Sequence, residues 1–215
     1  MHGIILSTIQ QFAKQEYGRE AWDAVQEGAG LEGTLYVPMK EYPDEHVYRL
    51  AEAAGELTGE GARQFLVDYG RWVVEPLVET YNVHVDDSWD AMELIANVAN
   101  FHAALRTHSL SNYTPPDVDS GWVEGYEGEV AYLDYDSPRQ LCDVARGAFM
   151  GAADYYGAQI NFAERECVFH GAGQCRFVIA RVGSDYRVGR DVGRKSATHL
   201  SDTTWAEKGF TPTDD

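Results

Sequence analysis

His102 is the histidine whose surroundings in the sequence most strongly suggest chemistry. It follows Met92, Ile95 and Ala99 at intervals of three, four and three residues, so on a helix its imidazole lies on the apolar face. A lone histidine in such a position is usually a hydrogen-bonded core residue. A buried neutral imidazole is also what the axial ligand of a haem iron requires. The residues alone leave both interpretations open.

A second group of polar side chains alternates along the sequence at the predicted junction of a strand and a helix. Tyr135, Ser137 and Arg139 supply a phenol, a hydroxyl and a guanidinium within one short stretch. The arginine fork suits a carboxylate. The alternative is structural, with Ser137 as the N-cap of a helix, Pro138 in its first turn and Gln140 as the capping-box partner.

The three cysteines form the third candidate group. Cys142, Cys167 and Cys175, together with His170, contain the four ligands of a tetrahedral zinc site. Free buried thiols are the alternative. Three cysteines are too few, and odd in number, for a disulfide framework, so we expect a reduced protein in the cytoplasm.

The charge balance excludes several classes of function. With 17 basic and 35 acidic residues, the net charge is -18, which disfavours binding to nucleic acid or anionic lipid and resembles the surface of a halophilic protein. Apolar runs fall far short of the roughly 20 residues that span a bilayer, and the N-terminus lacks the features of a signal peptide. No Ser/His/Asp arrangement or phosphate-binding loop indicates an enzyme.

The elements that must position these groups change in character along the chain. Apolar residues recur at helical spacing in the first half, whereas the second half contains two strand pairs around one helix. The predicted helices cover 5–17, 20–29, 45–57, 61–81, 89–108 (with an N-cap in 86–88) and 137–156, and the predicted strands cover 121–126, 129–135, 159–170 and 174–182. This order predicts an α+β domain over 1–182. The polar, nearly neutral stretch 183–215 is predicted to be a flexible tail.

Several segments together resemble one family, the H-NOX (haem nitric oxide/oxygen binding) domains. The resemblance is carried by MHGIILSTIQQFAKQEYG at the start, YGRWVVEPL in the middle, Tyr113-Thr114-Pro115-Pro116, the helical His102 and the Y-x-S-x-R stretch. These occur in the family's order over roughly 1–181. The resemblance implies an α+β fold in which an N-terminal helical part is followed by helices packed on an antiparallel sheet, the whole enclosing haem b.

The resemblance also implies a role for each of these residues. His102 would be the proximal ligand of the iron. Tyr135, Ser137 and Arg139 would hold the haem propionates. Pro115 or Pro116 would press on the porphyrin and distort it.

The residues that by resemblance face the bound gas are apolar. Members that bind oxygen carry a tyrosine nine residues after the first tyrosine of the motif, and this position is Val144 here. Ile5, Ile9 and Val73 occupy the other positions. Because bound oxygen needs a hydrogen-bond donor more than NO or CO does, we expect NO and CO to bind and oxygen not to bind.

Some bacterial members of the family hold zinc with three cysteines and one histidine. Cys142, Cys167 and Cys175 match those cysteine positions, but Glu164 stands where the histidine is expected. Either His170 or Glu164 would therefore complete a zinc site.

The resulting hypothesis is a haem-based gas sensor without enzymatic activity. No output domain follows in the sequence, so a partner is expected to act in trans, with a sensor kinase or a cyclic-dinucleotide enzyme as the expectation from the family. Two alternatives remain. One is a small-ligand-binding module without iron, similar to the vinyl-reductase domains that also end in a Cys-Gly-Cys pattern. The other is a redox protein based on zinc or thiols.

Overall fold

Helices fill the first half of the chain and a four-stranded sheet occupies the second. The computed structural model describes residues 1–108, 116–186 and 188. The helices are α1 (Gly3–Glu16), α2 (Arg19–Gly28), α3 (Glu45–Thr58), α4 (Ala62–Trp72), α5 (Val74–Thr80), α6 (Ala91–Ala96), α7 (Val98–His108) and α8 (Cys142–Tyr156), with 3-10 turns at Asn82–His84 and Val168–His170. The strands are β1 (Asp117–Trp122), β2 (Val130–Asp136), β3 (Ile160–Glu166) and β4 (Cys175–Arg181). The predicted α+β class is confirmed.

The described residues fall into two compact units, of which the first is Met1–Phe65. Its core is aromatic and aliphatic: the rings of Phe12 and Phe65 lie 5.5 Å apart, and Trp22 is fully buried. The buried amide of Gln26 donates to the carbonyl oxygens of residues 31 and 34, at 3.2 Å and 2.9 Å. These bonds fix the loop that leaves α2, since a buried carbonyl without a partner would be costly.

The second unit begins at Leu66 and contains the sheet. The strands are antiparallel in the order β1-β2-β4-β3, which makes β1 and β3 the edge strands. Helix α6 packs on β1, β2 and β4 and also against α8. Phe149 of α8 contacts Phe162 of β3 and Phe177 of β4 with ring centroids 5.4 Å and 5.3 Å apart, so the core of this unit lies between α8 and the sheet.

Glycines allow α8 to approach an earlier part of the same unit closely. A Cβ atom at Gly147 would lie only 2.0 Å from the carbonyl oxygen of Val67, and one at Gly70 would lie 2.3 Å from that of Val144. Both distances are far below van der Waals contact, so only glycine fits. Val67 and Gly70 belong to α4, so α4 and α8 cross in backbone contact beside Val144.

Side chains also cover part of the opposite face of the sheet. The buried residues there are Val130, Val178 and Ala180, and the residues packed against them are Val123, Tyr126, Tyr186 and Val188. Tyr126 and Tyr186 meet edge to face at 5.1 Å. The first residues after 182 thus contact the sheet, while most of 183–215 lies outside the described residues. The division into 1–182 and a tail stays a prediction.

Two long helices of the prediction are broken in the structure. The predicted helix 61–81 is divided at Val73, because Pro76 has no N–H to donate to the carbonyl of Trp72. The predicted helix 89–108 is divided at Asn97, whose side-chain amide donates to the carbonyl of Glu93 at 2.9 Å. The backbone N–H of Asn97 donates to the same carbonyl at 3.0 Å, so Asn97 is the C-cap that closes the last turn of α6.

The start of the second of these helices also differs from the prediction. Asp86 accepts hydrogen bonds from the backbone and side chain of Ser88, so it closes a local turn rather than capping a helix. The N-cap of α6 is Asp90, which forms a capping box with Glu93. Arg181 of β4 contacts Asp90 at 2.6 Å and so fastens this end of α6 to the sheet.

The strand boundaries were predicted less accurately at the first hairpin than at the second. The predicted strand 121–126 lies at Asp117–Trp122, because a turn with Gly125 and Gly128 at positive φ already begins at Val123. The last two strands are confirmed, although 168–170 forms a 3-10 turn rather than the end of β3.

The capping role considered for Ser137 is wrong. Helix α8 begins at Cys142, and the Ser137 hydroxyl accepts from the backbone N–H of Arg139 at 3.3 Å. Gln140 has φ 49°, a left-handed conformation that keeps the stretch after Pro138 from being helical. Ser137 therefore belongs to a turn between β2 and α8. None of the helices in the described ranges is long and apolar enough to cross a lipid bilayer.

Candidate haem and thiol sites

His102 lies in the second turn of α7, after the break at Asn97. Its ring is half-buried, and its Nδ1 atom is fully buried. The ring of Phe101 lies 6.3 Å from the imidazole, and Tyr81 packs edge-on against Phe101 at 5.6 Å. The surroundings of His102 are thus largely aromatic. An imidazole of this kind is a common axial ligand of haem iron.

Tyr135, Ser137 and Arg139 are brought together by the turn that ends β2. Tyr135 is buried beside Cys175 of β4, and its hydroxyl accepts from the backbone N–H of Leu141 at 3.3 Å. Ser137 is also buried. The turn therefore holds two buried hydroxyls and a half-buried guanidinium within five residues of sequence, a group of donors suited to carboxylates.

These groups fit haem. A flat cofactor with two carboxylates needs one nitrogen ligand from the protein and cationic or hydroxyl donors for its acidic edge. His102 offers a half-buried imidazole whose Nδ1 atom is buried, and the turn after β2 supplies the donors. His102 and the turn after β2 both belong to the second unit.

The remaining residues implied by the resemblance are distributed over both units. In the first unit, Ile9 is fully buried and Ile5 is half-buried, both on α1. In the second, Val73 is 3% exposed and Val144 is half-buried in the first turn of α8. Pro116 is half-buried directly before β1, and Pro115 lies outside the described residues.

The three cysteines lie together in the second unit, and the fourth group beside them is Glu164. The Sγ atoms of Cys142, Cys167 and Cys175 and a carboxylate oxygen of Glu164 all lie within 4.8 Å of one another. The Sγ atoms of Cys167 and Cys175 are 3.8 Å apart. A tetrahedral zinc with Zn–S bonds of about 2.3 Å separates its sulfur ligands by about 3.8 Å.

Hydrogen bonds stabilise negative charge in this thiol cluster, which we define as Cys142, Glu164, Cys167 and Cys175. Hydrogen bonds from Cys142 and Cys167, with a further one from the backbone N–H of Val168 at 3.4 Å, lower the pKa of Cys175 to about 4. Hydrogen bonding to the other two sulfurs and burial raise the pKa of Cys142 above its usual value. The thiolate is the form of cysteine that binds a metal ion, so the lowered pKa of Cys175 favours metal binding at this cluster.

Glu164 is held at one oxygen only. Its Oε2 accepts from Arg146, whose guanidinium also contacts the fully buried Asp143 at 3.0 Å, whereas its Oε1 is buried without a hydrogen-bond partner. Burial raises the pKa of Glu164 to about 7 even though Arg146 opposes this. A buried acceptor without a donor is costly, which is consistent with a metal ion as its partner.

His170 does not join the cluster. It is exposed at the end of the 3-10 turn Val168–His170. Of the two candidates for a fourth ligand, the structure brings only Glu164 to the cysteines. Arg146 and Asp143 were missed in the sequence, although their spacing of three residues beside Cys142 on a helix marks them as a pair.

The comparisons with known proteins agree with this architecture. The sequence model of the family described as haem-NO-binding matches residues 2–164. A search of curated proteins finds no match. Among solved structures, the chain is similar to an H-NOX protein from S. oneidensis in the Fe(II)NO ligation state, with a TM-score of 0.76 and 20% identity over 84% of this chain and 99% of that one. It is also similar to a mutant of the T. tengcongensis H-NOX protein, with a TM-score of 0.74 and 19% identity over 86% and 100% of the two chains.

The fold and the family match define the class of protein to which the chain belongs. The chain has helices followed by an antiparallel sheet, a histidine on α7 and a Y-x-S-x-R turn after β2. The chain belongs to the haem-NO-binding (H-NOX) family, whose domains are haem-based gas sensors. The resemblance stated from the sequence is confirmed.

Proposed function

We propose that this protein senses NO, and also binds CO but not oxygen, at a ferrous haem b held by His102. The buried Nδ1 of the His102 imidazole is the observation that carries the proposal. When bound, the haem supplies a ferrous iron that takes up a diatomic gas. The chain supplies the ligand and the aromatic surroundings of His102, and it orients the cofactor through the polar turn after β2.

The turn after β2 orients the cofactor through its acidic edge. Arg139 offers a charge-assisted hydrogen bond to a propionate, and the hydroxyls of Tyr135 and Ser137 add two neutral donors. Both hydroxyls accept backbone N–H groups at 3.3 Å, which fixes their positions in the turn. We also propose that Pro115 or Pro116 presses on the porphyrin.

The selectivity for NO and CO rests on apolar residues on the gas side. Ile5, Ile9, Val73 and Val144 offer no hydrogen-bond donor in their side chains. A donor contributes about 0.5–1.5 kcal/mol, and more when the acceptor carries charge. Its absence lowers the affinity for oxygen roughly tenfold or more, because bound oxygen carries negative charge and NO and CO carry far less.

A visible absorption spectrum tests the proposed function. The purified protein, or the protein reconstituted with haem under reducing conditions, is expected to show a Soret band that moves when NO or CO is added and does not move with oxygen. A protein that stays colourless after reconstitution would favour the small-ligand module without iron. A haem protein that turns over peroxide would favour an enzymatic role instead.

Val144→Tyr is expected to give the protein affinity for oxygen. Val144 lies in the first turn of α8 beside the close crossing at Gly70, so a phenol introduced there is held by packed helices. The matched control is Val144→Phe, which adds the same ring without the hydroxyl. We expect an oxygen-dependent Soret shift in the tyrosine variant only, with an affinity roughly tenfold or more above that of the control. Stable binding of oxygen by the wild type would show that another donor lies nearby.

The signal is proposed to reach a partner protein in trans, in the cytoplasm. A sensor kinase or a cyclic-dinucleotide enzyme is the expected kind of partner, since members of this family are sensors rather than enzymes. The strongly acidic composition favours a partner with a basic surface. The partner's activity would be measured with the gas-free and the NO-loaded protein, and an equal effect of both forms would exclude a gas-dependent signal.

We further propose that the thiol cluster binds zinc, with Cys142, Cys167 and Cys175 as thiolate ligands. The buried Oε1 of Glu164 and the spacing of the sulfurs support Glu164, rather than His170, as the fourth ligand. Such a site ties the start of α8 to β3 and β4 and stabilises this end of the sheet. Oxidation of its thiolates would add a redox input to the sensor.

A further inference from the structure

Ser120 of β1 bridges the break between α6 and α7. Its hydroxyl donates to the carbonyl oxygen of Ala96 at 2.9 Å and accepts from the backbone N–H of Ala99 at 3.0 Å. Ala96 is the last residue of α6, and Ala99 is the second residue of α7. Backbone groups at helix ends lack partners within the helix. One side chain therefore satisfies an acceptor and a donor on the two sides of the break.

The two helices are fastened to the sheet very differently. Helix α6 packs on β1, β2, β4 and α8, and its N-cap Asp90 is also paired with Arg181. Helix α7 packs chiefly on β1 within the described part of the chain. The bond from Ala99 to Ser120 lies three residues before His102 and so about one turn away, on the same side of the helix.

We propose that Ser120 is a positioning residue that transmits movement of the His102 helix to the edge strand β1. This inference rests on the proposed function, in which the event at the haem acts on His102. At the break between α6 and α7 the backbone N–H of Ala99 donates to the Ser120 hydroxyl, so α7 pivots at that point. Ser120 links the pivot to β1, whose outer edge has no neighbouring strand among the residues that the structure describes. The movement therefore emerges at an edge that a partner protein can contact.

Amide hydrogen exchange tests this coupling. In the wild-type haem protein, NO is expected to change exchange rates both in α7 and in β1. In Ser120→Ala the change in α7 should persist while the change in β1 is lost, and the amide of Ala99 should exchange about tenfold faster even without NO. Ser120→Thr, which keeps the hydroxyl on a residue favoured in strands, should restore the coupling.

Ser184→Ala is the matched control. The Ser184 hydroxyl also accepts a backbone N–H, that of Tyr186 at 3.0 Å, and it lies in the same unit. This variant should leave both responses unchanged. The frequency of the iron–histidine stretching vibration is a second readout, expected to shift in Ser120→Ala alone.

The outcomes separate the two proposals. A wild-type protein that cannot be loaded with haem overturns the proposed function and this inference with it. Normal loading and an NO response in α7, but an unchanged β1 response in Ser120→Ala, overturns the role of Ser120 alone. If Ser120→Ala does not fold, the wild type still decides the matter: an Ala99 amide that exchanges as fast as an unprotected N-terminal helix amide contradicts the bridge.

Discussion

A His102→Gly variant is expected to lose its haem during purification and to recover it when imidazole is added. The substitution removes the proposed nitrogen ligand and leaves a cavity of the same shape, which free imidazole fills. The Nδ1 atom of His102 is buried, so part of the space that the imidazole leaves is shielded from water, and the added base binds there. The measurement is the ratio of Soret absorbance to protein, with and without imidazole.

Ala103→Gly provides the control for that experiment. Ala103 is the exposed neighbour on α7, so its replacement imposes the same backbone cost on the helix, about 0.5–1 kcal/mol, without removing an imidazole. The control should retain its haem. Unchanged haem content and spectrum in His102→Gly would falsify the assignment of the ligand.

The order of the elements could be predicted from periodicity, but the helix breaks could not be placed. Apolar spacing continues across Val73 and Asn97, so the sequence indicated one helix in each case. Pro76 was the available signal for the first break, since proline removes the bond four residues earlier. The second depends on Asn97 and on Ser120, which lies 23 residues further along the chain. A bond at that separation cannot be recognised before the fold is known.

The polar turn after β2 shows how one pattern fits two local structures. Ser137, Pro138 and Gln140 match a capping box, which is why a helix was considered from Ser137 onward. In the structure, Gln140 is left-handed and α8 begins two residues later. The Ser137 hydroxyl therefore stabilises a turn instead of capping a helix. Only the resemblance to the H-NOX family indicated that this hydroxyl would bind a haem propionate.

The thiol cluster depends on sheet register, which composition does not reveal. Cys175 pairs with Tyr135, and Glu164 pairs with Phe177, two residues further along β4. Since alternate residues share a face of a strand, Glu164 and Cys175 point toward α8, where Cys142 begins the helix. A register shifted by one residue would turn Glu164 to the opposite face. The sequence therefore favoured His170 as the fourth ligand and left Glu164 as the alternative.

Protein purified without chelators is expected to carry about one zinc per chain. Elemental analysis measures this directly, and Cys167→Ala should lose the metal because it removes a thiolate from the buried centre of the cluster. His170→Ala should retain zinc, since His170 is exposed and outside the cluster. Zinc-free wild-type protein with three freely titrating thiols would leave the cysteines as packing residues and remove the basis for a redox input.

Glu164 variants identify the fourth ligand. In Glu164→Gln the neutral amide is a poorer ligand, so zinc affinity measured by chelator competition should fall at least about tenfold. Glu164→His supplies a nitrogen ligand at the same strand position and should hold zinc again.

Arg146→Met tests the residue that supports Glu164. Without Arg146, the Oε2 atom of Glu164 loses its donor, and the carboxylate is no longer held toward the sulfurs. Loss of such supporting contacts lowers metal affinity about 10- to 100-fold. Equal zinc affinity in wild type, Glu164→Gln and Arg146→Met would show that the metal is held by the three thiolates and a fourth ligand other than Glu164.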